Sequence, residues 1–198
     1  MVIIGACELL EQTELPAKSR TQAQRIERAA QEMNELVQTF LTLARARPEQ
    51  TAFLGTTRLA CVAQEQAERW ESLFREKGLS FSMVEEGSDN GEYNLTLLGS
   101  VMSTLLRNAL HYTESGTVRL VIENGGFRVE DTGVGVPPEE QERIFQPFVR
   151  GPATRGEGLG LGLSLVRRIC AHQGWSVSLQ QRSPQGSCFQ VRFHPETL

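Results

Sequence analysis

The sequence contains few cysteines, and the four that are present form no pattern. Cys7, Cys61, Cys170 and Cys188 are widely separated, with no C-x-x-C pair and no adjacent histidine. Such spacing predicts neither a zinc site nor a disulfide framework, because both need closely associated cysteines. We therefore expect small, buried cysteines in a reducing compartment.

An excess of charge and long apolar runs are also lacking. The net charge is -4, which gives no reason to expect a polyanionic partner such as nucleic acid. The apolar runs fall far short of the ~20 residues of a transmembrane helix. The start of the chain has no basic region and reaches Glu8 too early for a signal peptide, so we expect it to begin in mid-element. The hydrophobic content of 39% predicts a globular protein with a substantial core.

Residues 17–47 contain neither glycine nor proline, the two residues that most often interrupt a helix. Apolar residues recur there at the period of one helix face: Ile26, Ala29, Ala30, Met33, Leu36, Val37, Phe40, Leu41 and Leu43. About thirty residues of helix extend roughly 45 Å, too far to pack wholly on a small domain. We expect residues 1–47, with a first short helix at Val2–Gln12, to form a helical hairpin that dimerises. The alternative is a long helix that caps its own domain.

A linker is predicted at 48–51, and residues 52–198 form a second unit in which strand and helix patterns interleave. The expected strands are Ala52–Thr57, Leu79–Glu85, Thr117–Glu123, Phe127–Asp131, Trp175–Gln181 and Ser187–Phe193, and the expected helices are Arg58–Lys77, Leu97–His111 and Leu159–His172. Asn124-Gly125-Gly126 predicts a hairpin turn. This order of elements favours a sheet with helices on one face.

Four glycines alternate with other residues between Gly156 and Gly162, directly before a helical pattern. Each glycine costs roughly 0.5–1 kcal/mol relative to alanine inside a regular element, so something else must favour so much bare backbone. An anion held against amide N–H groups at a helix N-terminus is one explanation. An ordinary glycine-rich turn is the alternative.

Three further stretches bear on that choice. In Asp131-Thr132-Gly133-Val134-Gly135-Val136-Pro137 a carboxylate ends a strand, and an ionised carboxylate accepts hydrogen bonds, for example from the amine of adenine. Asn108 lies between apolar residues, where an amide oxygen is suited to a magnesium ion that also holds phosphates. Phe145-x-x-Phe148 precedes a segment with two arginines suited to phosphate oxygens. Each stretch considered alone also has an ordinary structural interpretation. The first would be a turn, the second a core amide and the third a surface loop.

Taken in order, Asn108, Asp131-x-Gly133-x-Gly135, Phe145-x-x-Phe148 and Gly158-x-Gly160-x-Gly162 resemble the N, G1, F and G2 boxes of the ATP-binding domain of sensor histidine kinases. The resemblance covers Thr51 to about Pro195, and residues 1–47 resemble part of the kinase dimerisation hairpin. It implies an α+β fold of the Bergerat or GHKL ATPase type. In that fold a two-layer α/β sandwich has a mixed sheet with helices on one face, here preceded by a helical hairpin.

The resemblance also implies roles for individual residues. Asn108 would ligate Mg²⁺, Asp131 would accept the adenine amine, and the hydroxyl of Ser187 would support the adenine site. His111 stands where the family often has Lys or Arg, which implies a pH-dependent phosphate contact. The remaining residues expected to bind ATP are Tyr112, Gly133, Gly135, Val136, Phe148, Arg150, Arg155, Gly158, Leu159, Gly160, Leu161, Gly162 and Leu163.

Two departures from the family pattern matter. Thr104 occupies the position where kinases often carry a second Asn and gyrase relatives carry the water-activating Glu, which argues against an autonomous ATPase. The sequence has His111, His172 and His194, none in the context of a phosphoacceptor, so we expect that residue to precede Met1.

The resemblance implies the ATP-binding part of a sensor histidine kinase, which transfers the γ-phosphoryl group of Mg-ATP to a histidine and then to an aspartate of a response regulator. The expected partners are a response-regulator receiver domain and a second copy of the chain. We expect a cytoplasmic segment of a parent protein in the inner membrane. The alternatives are a serine kinase or switch module of the same fold, and a dimerising scaffold without catalytic activity.

Overall fold

The computed structural model describes residues 56–149, 160–182 and 185–193, together with single positions between Pro16 and Val37. The chain divides into two compact units, Met1–Leu41 and Thr42–Leu198. The predicted helix at Val2–Gln12 and the predicted linker at 48–51 lie outside the described residues.

In the first unit the described positions from Ser19 to Val37 are helical, in agreement with the lack of glycine and proline. Three members of the predicted apolar stripe, Ile26, Met33 and Val37, are exposed. Residues separated by seven and then four positions lie on one face of a helix. This unit therefore presents an apolar row on its surface.

The second unit contains three helices and seven strands among its described residues. The helices are α1 (Leu59–Glu76), α2 (Leu95–Tyr112) and α3 (Gly162–Gln173), and the strands are β1 (Thr56–Arg58), β2 (Ser80–Glu85), β3 (Glu92–Asn94), β4 (Thr117–Glu123), β5 (Gly126–Asp131), β6 (Ser176–Gln181) and β7 (Ser187–Arg192). Two short 3-10 turns, Pro138–Glu140 and Arg143–Phe145, follow β5.

Five strands form a mixed sheet in the order β2-β4-β5-β7-β6, and β1 pairs separately with β3. Strands β2 and β4 are parallel, which requires a crossover, and α2 lies in that connection. The other neighbours are antiparallel, and β4 and β5 form the predicted hairpin. The predicted α+β fold with a mixed sheet is confirmed.

The helices bury the residues that recur at helical spacing. In α1 these include Val62, Trp70 and Phe74, and Phe74 stacks on Phe81 of β2 with ring centroids 4.7 Å apart. Helix α2 begins where the side chain of Asn94 accepts a hydrogen bond of 3.0 Å from the N–H of Leu97. That cap starts the helix two residues before its predicted first residue.

Strand β5 presents alternate residues to opposite faces of the sheet. Phe127 and Val129 are buried, and Arg128 and Glu130 alternate with them and take part in ion pairs. Asp131, the last residue of β5, therefore lies on the same face as Val129. This alternation places one carboxylate of the pair Glu130-Asp131 on each face.

Two further differences from the sequence prediction are an additional strand and a later start of α3. Strand β3 was not predicted, because three residues are too few to show an alternating pattern. Helix α3 begins at Gly162 and not at the predicted Leu159. The reason is that Gly160 has a φ of +69°, outside the right-handed helical region, so the helix cannot include it.

Candidate functional site

A cavity of about 210 Å³ lies at the end of β5, between α2, the segment that follows β5, and α3. Its wall is formed by Asn108, Tyr112, Asp131, Val134, Gly135, Val136, Pro137, Glu140, Ile144, Val149, Leu163, Ser187 and Phe189. Apolar side chains thus surround a small number of polar groups, an arrangement typical of a site for a small organic ligand.

Asp131 is the most deeply buried of the ionisable residues on this wall, with 3% of its surface exposed. Its Oδ1 accepts hydrogen bonds from the backbone N–H groups of Gly133, at 2.8 Å, and Ser187, at 3.2 Å. Burial raises the pKa of Asp131 above its ordinary value, and the two amides offset part of that rise. The carboxylate is therefore oriented by uncharged donors beside a cavity, where it can accept a hydrogen bond from a ligand.

Glycines let the backbone close tightly around this carboxylate. A Cβ on Gly133 would overlap the carbonyl oxygen of Tyr112, at the end of α2, and a Cβ on Gly186 would overlap the carbonyl oxygen of Asp131. Gly135 has a φ of +72°, which favours glycine. Gly135 lies on the cavity wall, and Gly133 donates one of the amide hydrogen bonds to Asp131. Their predicted contacts with a nucleotide remain predictions.

Helix α2 contributes two of the predicted residues to the cavity. Asn108 and Tyr112 are one helical turn apart and both lie on its wall. His111 is exposed, lies outside the wall, and contacts the Tyr112 ring edge-on at a centroid distance of 4.8 Å. Its predicted phosphate contact remains a prediction.

Thr104, one turn before Asn108, is buried and does not belong to the cavity wall. Its γ-methyl would lie 3.1 Å from a Cβ placed on Gly162, the first residue of α3. Gly162 therefore allows α2 and α3 to approach closely at this point.

The segment before α3 is held by a hydrogen bond of 2.9 Å from the N–H of Phe148 to the carbonyl oxygen of Gly160. Leu163 lies on the cavity wall, and Leu161 is the N-cap of α3. Helix α3 has no side-chain cap and no acidic residue in its first turn. Its first N–H groups therefore keep the partial positive charge of a helix N-terminus.

The two phenylalanines of Phe145-x-x-Phe148 differ in environment. Phe145 is buried and packs edge-on against Phe189 of the cavity wall, with centroids 6.3 Å apart. Phe148 is 74% exposed with a φ of +64°, and the neighbouring Val149 contributes to the wall instead. The predicted contact of Phe148 with ATP stays a prediction. Arg150, Arg155, Gly158 and Leu159 lie outside the described residues.

Several wall residues were not predicted from sequence. They are Val134, Pro137, Glu140, Ile144, Val149 and Phe189. Most are apolar, and an apolar residue beside a glycine motif does not differ in pattern from a core residue. Val136, Leu163 and Ser187 were predicted and do lie on the wall.

The described residues contain no cluster of three or more His, Cys, Asp or Glu that could enclose a metal ion alone. Asn108 offers one amide oxygen at the cavity, which suits Mg²⁺ because this ion usually keeps water and phosphate ligands. Within the same described ranges, no helix is long and apolar enough to cross a membrane.

Two family models match the chain. The model of the histidine kinase-, DNA gyrase B- and HSP90-like ATPases matches residues 93–197, which contain the whole cavity wall. The model of the His Kinase A (phospho-acceptor) domain matches residues 1–49.

Similar proteins agree with these matches. Sensor histidine kinase AruS of Pseudomonas aeruginosa is 29% identical over 209 residues, which cover 94% of this chain and 20% of AruS. The full-length structure of ShkA in complex with AMPPNP matches with a TM-score of 0.68 and 27% identity, over 96% of this chain and 41% of ShkA. The cytoplasmic segment of histidine kinase QseC matches in fold, with a TM-score of 0.61 and 19% identity over 82% of this chain and 93% of that segment. The chain thus spans about a fifth of the length of AruS.

Proposed function

Because the chain belongs to the family of histidine kinase-, DNA gyrase B- and HSP90-like ATPases, we propose that its cavity binds Mg-ATP for phosphoryl transfer in a two-component sensor kinase. The observation that carries this proposal is the buried carboxylate of Asp131, held by two backbone amides at the end of an apolar cavity. The similar structure of ShkA is a complex with AMPPNP, which supports a nucleotide as the ligand.

The base would enter the apolar part of the cavity, between side chains such as Ile144, Leu163 and Phe189. There Asp131 would accept a hydrogen bond from the exocyclic amine of adenine. Guanine has a carbonyl oxygen at the corresponding position, and two acceptors that face each other repel. The site is therefore expected to select adenine over guanine.

The phosphates would lie towards Asn108 and the first turn of α3. Asn108 would hold Mg²⁺, which when bound neutralises phosphate charge, and the open N–H groups of α3 would face phosphate oxygens. We propose that Tyr112 packs beside the nucleotide, and that Arg150 and Arg155 approach its phosphates. In such a reaction the protein contributes positioning and charge stabilisation more than covalent chemistry.

We further propose that the phosphoryl group goes to a histidine other than the three in this sequence, and then to an aspartate of a response regulator. The phosphoacceptor model matches residues 1–49, whereas the histidines are His111, His172 and His194. His111 and His172 are exposed residues of α2 and α3. With labelled ATP, the 198-residue chain should label a separate phosphoacceptor chain and not itself. Label on any of these three histidines would contradict the proposal.

The same match and the exposed row Ile26, Met33 and Val37 support pairing of two copies through the first unit. We propose that the chain is a cytoplasmic segment of a sensor protein of the inner membrane; the QseC structure of similar fold is likewise described as a cytoplasmic segment. Analytical ultracentrifugation tests the first of these statements, because a strictly monomeric species would contradict pairing.

Calorimetric titration of the chain with ATP and GTP in the presence of Mg²⁺ tests nucleotide binding. We expect ATP to bind at least about tenfold more tightly than GTP, the effect of roughly one mismatched hydrogen bond. Asn108→Ala should weaken ATP binding with Mg²⁺ present and have little effect in EDTA. Absence of ATP binding, or equal binding of ATP and GTP, would contradict the proposal.

A further inference from the structure

The cavity wall carries a second acidic residue besides Asp131, namely Glu140. It is half-buried, whereas Asp131 is almost fully buried. In the part of the chain that the structure describes, the Glu140 carboxylate forms no hydrogen bond or ion pair, although Glu142, two residues further on, pairs with Arg167 at 3.3 Å. The carboxylate of Glu140 is therefore available as an acceptor for a group in the cavity.

The short turn that contains Glu140 is held against the cavity wall by two hydrogen bonds. The N–H of Glu140 donates to the carbonyl oxygen of Pro137 at 2.9 Å, and Nε2 of Gln141 donates to the carbonyl oxygen of Val136 at 3.3 Å. Val136 and Pro137 are themselves residues of the wall. The protein thus fixes the backbone of Glu140 beside the cavity without the help of a ligand.

A carboxylate at this place restricts which part of a nucleotide can lie beside it. Phosphates carry the same charge and are repelled, more strongly in a partly buried cavity than in water. The uncharged hydrogen-bond donors of adenosine are the exocyclic amine and the ribose hydroxyls. The proposed function assigns the amine to the deeply buried Asp131. The ribose lies between the base and the phosphates, and its hydroxyls are the donors left for the less buried Glu140.

We propose that the carboxylate of Glu140 accepts a hydrogen bond from a ribose hydroxyl and makes the site selective for ribonucleotides. The proposal rests on the proposed ATP binding and adds a residue to which the family resemblance assigns no role. Asp131 then selects the base and Glu140 selects the sugar. The charge of Glu140 also directs the phosphates away from itself, towards Asn108 and the first turn of α3.

Calorimetric titration of the unmodified chain and of Glu140→Ala with ATP, 2′-deoxy-ATP and 3′-deoxy-ATP tests the assignment. In the unmodified chain, loss of the hydroxyl that Glu140 contacts should weaken binding about tenfold, because a hydrogen bond to a charged acceptor is lost. In Glu140→Ala the same deoxynucleotide and ATP should bind within about twofold of each other. Each chain serves as its own reference, so the ratio isolates the contact.

Purine riboside triphosphate, which keeps both hydroxyls and lacks the amine, separates the sugar from the base. The effect of removing the amine should be the same in the unmodified chain and in Glu140→Ala. A smaller effect in Glu140→Ala would show that Glu140 contacts the amine, and would overturn the assignment to the ribose.

The matched control is Glu139→Ala, which removes the preceding acidic residue of the same turn. Glu139 is exposed and lies outside the cavity wall, so this variant should keep the full discrimination against the deoxynucleotide. If Glu140→Ala does not fold, Glu140→Gln keeps the size of the side chain and is judged by the same ratio, which should fall because the acceptor is no longer charged.

Equal binding of ATP and both deoxynucleotides by the unmodified chain would overturn the role of Glu140, and so would an unchanged ratio in Glu140→Ala. Failure of the unmodified chain to bind ATP at all would instead refute the proposed function. The two failures are thus distinguishable in a single set of titrations.

Discussion

Glu130 and Asp131 are adjacent carboxylates on β5, and both are almost completely buried, with 7% and 3% of their surfaces exposed. Glu130 is contacted by three guanidinium groups, those of Arg119 at 3.1 Å, Arg128 at 2.7 Å and Arg182 at 3.3 Å. Asp131 faces the other side of the sheet and is held by two backbone amides beside a cavity.

The two carboxylates differ in what compensates their burial. Burial of a charge is costly unless cations and hydrogen bonds compensate it. Glu130 is compensated within the protein, because its cations surround it. The carboxylate of Asp131 is held by neutral backbone donors beside a cavity, so we propose that a ligand in the cavity supplies a further donor to it.

The largest expected effect is on nucleotide affinity. Asp131→Asn keeps the shape and an acceptor for the Gly133 amide, but it removes the charge and can turn an amide donor towards the adenine amine. We expect ATP to bind about 100-fold more weakly, since a charge-assisted hydrogen bond contributes roughly 1.5–3 kcal/mol. Calorimetry measures this loss, and an affinity within threefold of the unmodified chain would contradict it.

The amides that hold Asp131 depend on a backbone that only glycine permits. Gly133→Ala should lower the free energy of unfolding by about 2–3 kcal/mol, because its Cβ would overlap the Tyr112 carbonyl oxygen. Gly99→Ala in α2 is the control, since its Cβ would have only ordinary contacts at 3.9 and 4.0 Å. Urea unfolding measures both variants, and the steric account is wrong if they are equally stable.

On the opposite face, Glu130→Gln should affect stability and not binding. It removes the charge shared by three arginines, which are themselves partly exposed, so we expect a loss of about 1–2 kcal/mol in the free energy of unfolding. Glu71→Gln, which breaks an exposed pair with Arg75, should cost less than about 0.5 kcal/mol. A large fall in ATP affinity for Glu130→Gln would erase the distinction between the two faces.

The smallest expected effect is the pH dependence of stability. Burial raises the pKa of folded Asp131 above the ordinary 3.8, so the folded state holds its proton over a range where the unfolded state has lost it. Stability therefore falls as pH rises from about the ordinary value through the raised one, and is constant above it. This decrease in stability should be absent in Asp131→Asn, because residue 131 then has no carboxyl group to titrate.

The stability of Asp131→Asn relative to the unmodified chain should thus increase with pH across that window. Urea unfolding of both chains at a series of acidic pH values measures the difference. A difference that decreases as pH rises would show that the folded pKa is lowered and not raised.

Much of the site could be predicted from sequence because its chemistry falls in short motifs. Asp131 follows a strand pattern, Asn108 stands among apolar residues, and both lie on the cavity wall. The interleaving of strand and helix periods likewise predicted a sheet with packed helices, and the family resemblance implied that this sheet is mixed.

Other features depend on contacts between distant segments, which no local pattern records. The start of α3 at Gly162 reflects the left-handed conformation of Gly160, and the close approach of Thr104 to that helix joins residues 58 positions apart. Phe189 on β7 meets Phe145 only because the sheet brings β7 beside β5. The short motifs in the sequence predict the polar candidates for the site. Contacts between distant segments determine which apolar residues form the rest of the cavity wall.

We propose above all that the carboxylate of Asp131 recognises the amine of the base. The most direct test compares ATP with purine riboside triphosphate, which lacks that amine, on the unmodified chain and on Asp131→Asn. We predict that loss of the amine weakens binding by about tenfold in the unmodified chain and has little effect in the variant. The same loss in both chains would show that Asp131 and the amine do not interact, and would contradict the account.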